Sequence, residues 1–188
     1  MDLRDATALI ERALPHRAET WADLGAGTGT FTFALAALLS PGGQVIAVDR
    51  DPAALEALRA AAVELKDGSS ITTLSGDFTR QLALPTLDGA LLANALHFVA
   101  EEDQPLILRR LAAHLRPNGR LVVVEYEGRR PSRWVPHPVS WARLREHARA
   151  AGLGEPSLVG TRRSMFGGSM YAAVMDKSEN SSSPAREP

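Results

Sequence analysis

Three glycines alternate with small residues at Gly25, Gly27 and Gly29, within the segment WADLGAGTGTF (21–31). Glycine has no Cβ, so such a turn can bend sharply and approach a ligand closely. The dinucleotide pattern G-x-G-x-x-G/A does not fit, because threonine occupies the third small position in either register. The phosphate-loop pattern G-x-x-x-x-G-K-[ST] also fails, since no lysine is nearby. Neither phosphate-binding pattern explains the turn.

Two carboxylates indicate a different ligand. Asp23 stands two residues before the first glycine, where it would repel a pyrophosphate but suits an ammonium group. Asp49 ends the next apolar segment, where a carboxylate can accept hydrogen bonds from both hydroxyls of a ribose. The ligand that these residues predict is a ribonucleoside carrying a cationic amino-acid group, and S-adenosylmethionine meets that description.

These residues must be positioned by alternating strands and helices. Apolar segments predict strands at 20–24, 44–49, 71–77, 88–94, 120–126, 156–162 and 169–176. Helical patterns cover 2–14, 28–40, 52–65, 101–115 and 138–151, with loops predicted at 67–70 and 127–138 and a helix stop at RPNG, 116–119. Such alternation predicts a doubly wound parallel sheet with helices on both faces. The last two strands have no helix between them and could close the sheet as an antiparallel hairpin.

Over residues 5–176 the chain resembles the class I S-adenosylmethionine-dependent methyltransferases. The matching segments occur in order and are ADLGAGTGTF, VIAVDRDP, SGDF, LLANALHFV and LRPNGRLVVVEY. The resemblance implies an α/β fold with a Rossmann-like seven-stranded sheet of order 3-2-1-4-5-7-6, in which strand 7 is antiparallel. It also implies a single domain over 1–176, and residues 177–188 are predicted to be a disordered tail because they lack apolar side chains.

The resemblance also assigns cofactor contacts. It places Asp23 and the glycine turn at the methionine part, Asp49 at the ribose, and Asp77 and Phe78 at the adenine, with Asn94 near the sulfonium. The cofactor-binding set is Asp23, Gly25, Ala26, Gly27, Gly29, Asp49, Arg50, Asp77, Phe78 and Asn94.

Three residues are candidates for catalysis. His97 follows Asn94 closely and either acts on the acceptor or has a structural role. Glu125 and Tyr126 end the fifth strand and would face the acceptor cavity, where each could bind the acceptor, act as a base or simply cap the strand. A general base matters only if the acceptor must lose a proton.

The acceptor itself is predicted to bind a loop rich in arginine and proline. Arg129, Trp134 and His137 lie there and are the predicted substrate-binding residues. A guanidinium suits a carboxylate or phosphate and an indole suits a ring, so one interpretation is an anionic, partly aromatic small molecule. The other is a solvated loop in an arginine-rich protein.

Composition argues against several kinds of partner, binding site and location. The formal net charge is −1 and charged residues make up 23%, so no nucleic-acid partner is predicted. The absence of cysteine excludes disulfides, thiolate metal sites and a cysteine nucleophile, and no metal site is predicted. The first residues alternate charges at helical spacing, unlike a secretory signal, and no apolar run approaches the roughly 20 residues of a membrane span. A cytoplasmic location is therefore predicted.

The sequence leaves two alternatives open. The leading hypothesis is a methyltransferase acting on a small molecule, and the other is a non-catalytic module that binds S-adenosylmethionine or S-adenosylhomocysteine. The segment before the first strand leaves little material for a lid, so the pocket is either open or completed by a second subunit of a homodimer.

Overall fold

A single seven-stranded sheet carries the site, in the order β3-β2-β1-β4-β5-β7-β6. The computed structural model describes residues 1–15, 17–39, 41–63, 69–164 and 167–177. The strands are β1 (Thr20–Leu24), β2 (Gln44–Asp49), β3 (Ser70–Ser75), β4 (Leu87–Ala93), β5 (Leu115–Glu127), β6 (Ser157–Arg163) and β7 (Ser169–Asp176). Strand β7 runs antiparallel to both β5 and β6, which confirms the predicted topology.

Within the described ranges, five α-helices cover the sheet. They are α1 (Leu3–Ile10), α2 (Thr30–Leu38), α3 (Pro52–Ala62), α4 (Gln104–His114) and α5 (Trp141–Ala151). Buried residues of α1 and α2 form one core with the sheet, and those of α4 and α5 form a second. Side chains alternate between the faces of a strand, so Leu91 belongs to the first core and its neighbour Leu92 to the second. No helix in the described ranges combines the length and apolarity needed to cross a bilayer.

The parallel register gathers the functional segments at one edge. Leu24 pairs with Val48 across β1 and β2, and Asp23 pairs with Leu91 across β1 and β4. Strand β5 is parallel to β4, with Ala93 opposite Val124. The carboxyl ends of these strands therefore lie together, at the edge where open α/β sheets bind ligands.

Several element boundaries differ from the prediction. The segment RPNG does not simply separate a helix from a strand, because β5 already begins at Leu115. The register shifts there, with Leu87 opposite Leu115 and Gly89 opposite Arg120, so residues 116–119 form a bulge inside the paired region. The left-handed backbone of Asn118, with φ of 59°, belongs to this bulge.

The helices are also shorter than the sequence pattern predicts. Helix α5 begins at Trp141 rather than at 138, because the Ser140 hydroxyl caps it by accepting a hydrogen bond from the Arg143 N–H at 3.3 Å. Lys177, assigned to the tail by the sequence, forms an antiparallel bridge with Leu153. The rest of the predicted tail, 178–188, and residues 67 and 68 of the predicted 67–70 loop lie outside the described residues.

Candidate active site

The glycine turn is held against β2 by its own backbone. The N–H groups of Gly25 and Ala26 both donate to the carbonyl of Val48, at 2.8 and 3.0 Å. Gly25 has a φ of 78°, and a Cβ built there would lie only 2.9 Å from the Cβ of Ala95. Both the left-handed backbone and the close neighbour favour glycine at this position. The turn is therefore fixed between β2 and the segment that follows β4.

Asp49 closes the same turn from the end of β2. One carboxylate oxygen accepts the N–H of Gly27 at 2.7 Å, and the other accepts the N–H of Asp51 at 2.8 Å. Each oxygen keeps a further lone pair for a ligand. Asp49 thus joins the turn to the cavity that lies beside it.

Asp23 is a buried carboxylate at the other end of the turn. It is 1% exposed, and the Thr32 hydroxyl of α2 donates to it at 2.6 Å. Burial raises the pKa of Asp23 to about 7; the hydrogen bond from Thr32 acts in the opposite sense, and the charge of Asp49 adds to the rise. Asp23 lines a cavity of about 250 Å³ together with the glycine turn. A cationic ligand group in this cavity would stabilise the ionised carboxylate.

Asp77 and Phe78 follow β3 and line a second cavity, of about 300 Å³, together with Asp49 and Arg50. The Thr79 N–H and hydroxyl both donate to one oxygen of Asp77, at 2.9 and 2.7 Å. Burial acts to raise the pKa of Asp77, but these hydrogen bonds and the nearby arginine charges outweigh it, so the pKa lies below its ordinary value. Asp77 is therefore an ionised acceptor at the rim of this cavity.

Asn94 lies where the cavities meet. It lines the 250 Å³ cavity, the 300 Å³ cavity and a third one of about 600 Å³. Its backbone is left-handed, with φ of 54°, and its N–H donates to the Val124 carbonyl at 2.9 Å. Among the described residues no donor pairs with its buried side-chain oxygen Oδ1. A buried acceptor without a partner is costly, so a ligand donor is expected at this point.

The third cavity, which we call the acceptor cavity, has a volume of about 600 Å³ and mostly apolar walls. Its lining residues are Asn94, His97, Phe98, Tyr126, Arg129, Ser132, Trp134 and Val135. Phe98 and Trp134 are large apolar side chains with 56% and 70% of their surface exposed, so they form its rim. The volume is within the range typical of small-molecule sites.

His97 and Glu125 form a buried pair. His97 lines the acceptor cavity, and its Nδ1 lies 2.7 Å from one oxygen of Glu125. The other oxygen of Glu125 accepts the backbone N–H of His97 at 3.1 Å. If Glu125 is a carboxylate it can only accept, so Nδ1 is then the donor in this pair; in the neutral imidazole that arrangement leaves the lone pair on Nε2. No described residue forms a hydrogen bond with Nε2.

Glu125 therefore has a different place from the one predicted. It is 0% exposed and does not line the acceptor cavity, because His97 stands between them. Tyr126, the next residue on β5, points to the opposite face and does line the cavity. Burial raises the pKa of Tyr126; the charge of Glu125 adds to the rise, and that of Arg129 opposes it. Tyr126 is thus a neutral, protonated phenol that lines the cavity at physiological pH, and it does not act as a base.

The loop after β5 contributes Arg129 and Trp134 to the cavity but not His137. Binding of the acceptor by His137 stays a prediction. Its N–H donates to the carbonyl of His97 at 3.0 Å, and its carbonyl accepts from the side chain of Gln104 at 3.3 Å. His137 therefore anchors the loop beside the catalytic candidate through its backbone.

Several lining residues were not predicted from the sequence, among them Thr79, Phe98, Ser132 and Val135. Phe98 directly follows His97, and Thr79 stands two residues after Asp77, a spacing typical of a side chain that caps its own turn. Those two could have been found from the sequence. Ser132 and Val135 reach the cavity through a short antiparallel bridge between them, for which the loop sequence carries no periodic signal.

Comparison with known proteins identifies the fold and the family. A curated cypemycin N-terminal methyltransferase from Streptomyces is 33% identical over 114 residues, which are 60% of this chain and 44% of that protein. The chain spans less than half the length of the curated relatives that it matches. Two solved structures share the fold, each covering 94% of this chain and 78% of theirs with a TM-score of 0.70.

Those structures are a magnesium protoporphyrin IX methyltransferase from Synechocystis with bound SAM, 17% identical, and a 1,6-didemethyltoxoflavin-N1-methyltransferase from Burkholderia thailandensis, 23% identical. The second contains bound 1,6-didemethyltoxoflavin and S-adenosylhomocysteine. The family described as methyltransferase domain matches residues 22–119, from β1 through the bulge of β5. The chain therefore belongs to the methyltransferase domain family.

Proposed function

We propose that this protein transfers a methyl group from S-adenosylmethionine to a small-molecule acceptor. The observation that carries the proposal is the meeting of three cavities at Asn94. Two of them have the polar groups that an adenosyl amino acid needs, and the third is a mostly apolar chamber beside a histidine. Structural neighbours that bind SAM or S-adenosylhomocysteine support the choice of cofactor.

The residues fit the cofactor group by group. Asp23 and the orphan Oδ1 of Asn94 would accept from its ammonium group, and Asp49 would accept from the ribose hydroxyls. The adenine would lie beside Phe78, whose ring packs against the turn at Gly25. Gly27 and Gly29 shape the turn, with φ of 54° and 96°, and Ala26 and Arg50 complete the lining of the two cavities.

When bound, S-adenosylmethionine supplies an electrophilic methyl group with a good leaving group. The protein's part is to hold the acceptor in line with it, which accounts for effective molarities of about 10⁵ M or more in favourable cases. His97 would take the acceptor's proton through Nε2, and Glu125 would hold the imidazole in the tautomer that leaves Nε2 free. Glu125 is thus a positioning residue. A general base of this kind contributes about 10²- to 10⁴-fold.

A small acceptor is supported by the volume of the acceptor cavity and by the bound 1,6-didemethyltoxoflavin of the Burkholderia enzyme. The His97–Glu125 pair favours catalysis over a module that only binds the cofactor, since a binding module has no use for a buried, oriented base at the acceptor cavity. The cytoplasmic location and the homodimer stay predictions.

The test is methyl transfer itself. Purified protein is incubated with methyl-labelled S-adenosylmethionine and a small-molecule extract, and both labelled products and S-adenosylhomocysteine are measured. We expect labelled small molecules with wild-type protein and at least about 100-fold less with His97→Ala. Cofactor binding without any labelled product would contradict the proposal and support the non-catalytic module.

A further inference from the structure

The acceptor cavity has one permanent charge. Among the described residues that line it, Arg129 is the only permanently charged side chain, and none is an aspartate or glutamate. No ion pair in the described part of the chain involves Arg129. Its Nε is buried and has no hydrogen-bond acceptor among those residues. The cavity therefore selects for an anion that supplies the missing acceptor.

The remaining walls are aromatic. Phe98, Tyr126 and Trp134 contribute their side chains, and the pocket surface is mostly apolar. The guanidinium of Arg129 stacks over the Tyr126 ring, 5.0 Å from its centre. Planar ligands pack well between such rings. A single guanidinium also suits a carboxylate better than a phosphate, since a dianion in an apolar chamber would need more donors.

The proposed base lines the same chamber. The His97 ring lies 6.0 Å from the centre of the Tyr126 ring and 4.4 Å from that of Phe98. His97 and Arg129 thus contact the same tyrosine, so one planar molecule lying along Tyr126 is within reach of both. An acceptor with a proton to lose at one end and a negative charge at the other matches this arrangement.

Resting on the proposed function, we propose that the acceptor is a hydroxylated aromatic carboxylate, bound through its carboxylate to Arg129 and methylated on its hydroxyl beside His97. The hydroxyl proton passes to Nε2 of His97 while the oxygen forms the bond to the methyl carbon. The electron pair of the broken carbon–sulfur bond stays on sulfur, which becomes a neutral thioether. A phenol ordinarily has a pKa of about 10, so a base helps this step.

Isothermal titration tests the carboxylate contact without requiring turnover. The probes are 4-hydroxybenzoate and 6-hydroxy-2-naphthoate, each compared with its uncharged carboxamide, in the presence and absence of S-adenosylhomocysteine. We expect at least one carboxylate to bind wild-type protein about tenfold or more tightly than its amide, as hydrogen bonds to charged groups allow. Arg129→Gln is expected to bring that ratio to within about twofold.

Arg130→Gln is the matched control, because it removes the same charge from the next residue of the loop, which does not line the cavity. It should keep the wild-type preference, and Arg129→Lys reports the effect of losing the planar fork alone. Equal affinity for acid and amide, no binding of either carboxylate, or equal losses in the two glutamine variants would each overturn the inference. Absence of S-adenosylhomocysteine binding would instead count against the proposed function, because carboxylate preference is also measured without it.

Discussion

Replacing Asp49 by alanine removes a carboxylate with two expected duties. In the free protein it accepts the N–H groups of Gly27 and Asp51 at 2.7 and 2.8 Å. In the complex it would also accept from the ribose hydroxyls. A hydrogen bond to a charged group contributes about 1.5 kcal/mol or more, so losing two should weaken cofactor binding by about 3 kcal/mol, which is more than 100-fold.

The same change should cost stability but not the fold. Two partly exposed backbone N–H groups lose their acceptor and turn to water, which costs about 1 kcal/mol each and lowers the Tm by roughly 4–8 °C in a chain of this size. Asp51→Ala is the control, since Asp51 is an exposed carboxylate two residues away that caps α3 through the N–H of Ala53 at 2.9 Å. It should lose about 1 kcal/mol of stability and no affinity.

Isothermal titration with S-adenosylhomocysteine measures the affinities of wild type and both variants, and circular dichroism confirms that they are folded. A folded Asp49→Ala variant with wild-type affinity would refute the assignment of this carboxylate to the ribose. Equal losses in the two variants would show that charge near the cavity, not the contact, sets the affinity.

Three further predictions concern protonation, packing and positioning. Because the pKa of Asp23 is raised to about 7, its contribution to folding stability is fully present below about pH 4 and is lost as the pH rises through 7. Affinity for the cationic cofactor should instead rise about tenfold between pH 6 and 8, as Asp23 ionises. Asp23→Asn should abolish the stability trend in urea unfolding and the affinity trend in titrations. Gly25→Ala should lower the free energy of unfolding by about 2 kcal/mol or more, because it adds a steric clash to backbone strain. Gly128→Ala, with φ of 70° and open space around the residue, should lower it by about 1 kcal/mol. Equal losses of the two variants in urea unfolding would contradict the packing argument. Glu125→Gln should reduce kcat by about 100-fold and leave the affinity for S-adenosylhomocysteine unchanged. The reason is that an amide N–H facing Nδ1 of His97 can force the proton onto Nε2. An unchanged kcat would show that the pair is structural.

Local sequence signals were sufficient for most of the fold. The strands at Thr20–Leu24 and Gln44–Asp49 agree with the prediction at both ends, because apolar runs there are bounded by glycine, proline or charged residues. The bulge at 116–119 was not foreseen, since proline, asparagine and glycine are typical both of a helix stop and of an irregular strand. Pairing with β4 decided between the two.

The site was predictable only in part, because some of its contacts also depend on how the strands pair. Carboxylates at strand ends are local features, so Asp23, Asp49 and Asp77 could be placed in advance. The pairing of His97 with Glu125 joins residues 28 positions apart, and it depends on which face of β5 each side chain occupies. The register that sends Tyr126 into the acceptor cavity and Glu125 behind it is a property of the whole sheet.

The central claim is that the turn after β1 binds a cationic ribonucleoside without phosphates. Thermal unfolding of the wild-type protein with S-adenosylmethionine, S-adenosylhomocysteine or NAD tests it most directly. At a concentration 100 times the Kd, a ligand that binds only the folded state adds about 2.7 kcal/mol, which raises the Tm by roughly 5–10 °C. We predict such a rise with the first two ligands and none with NAD; a rise with NAD alone would contradict the account.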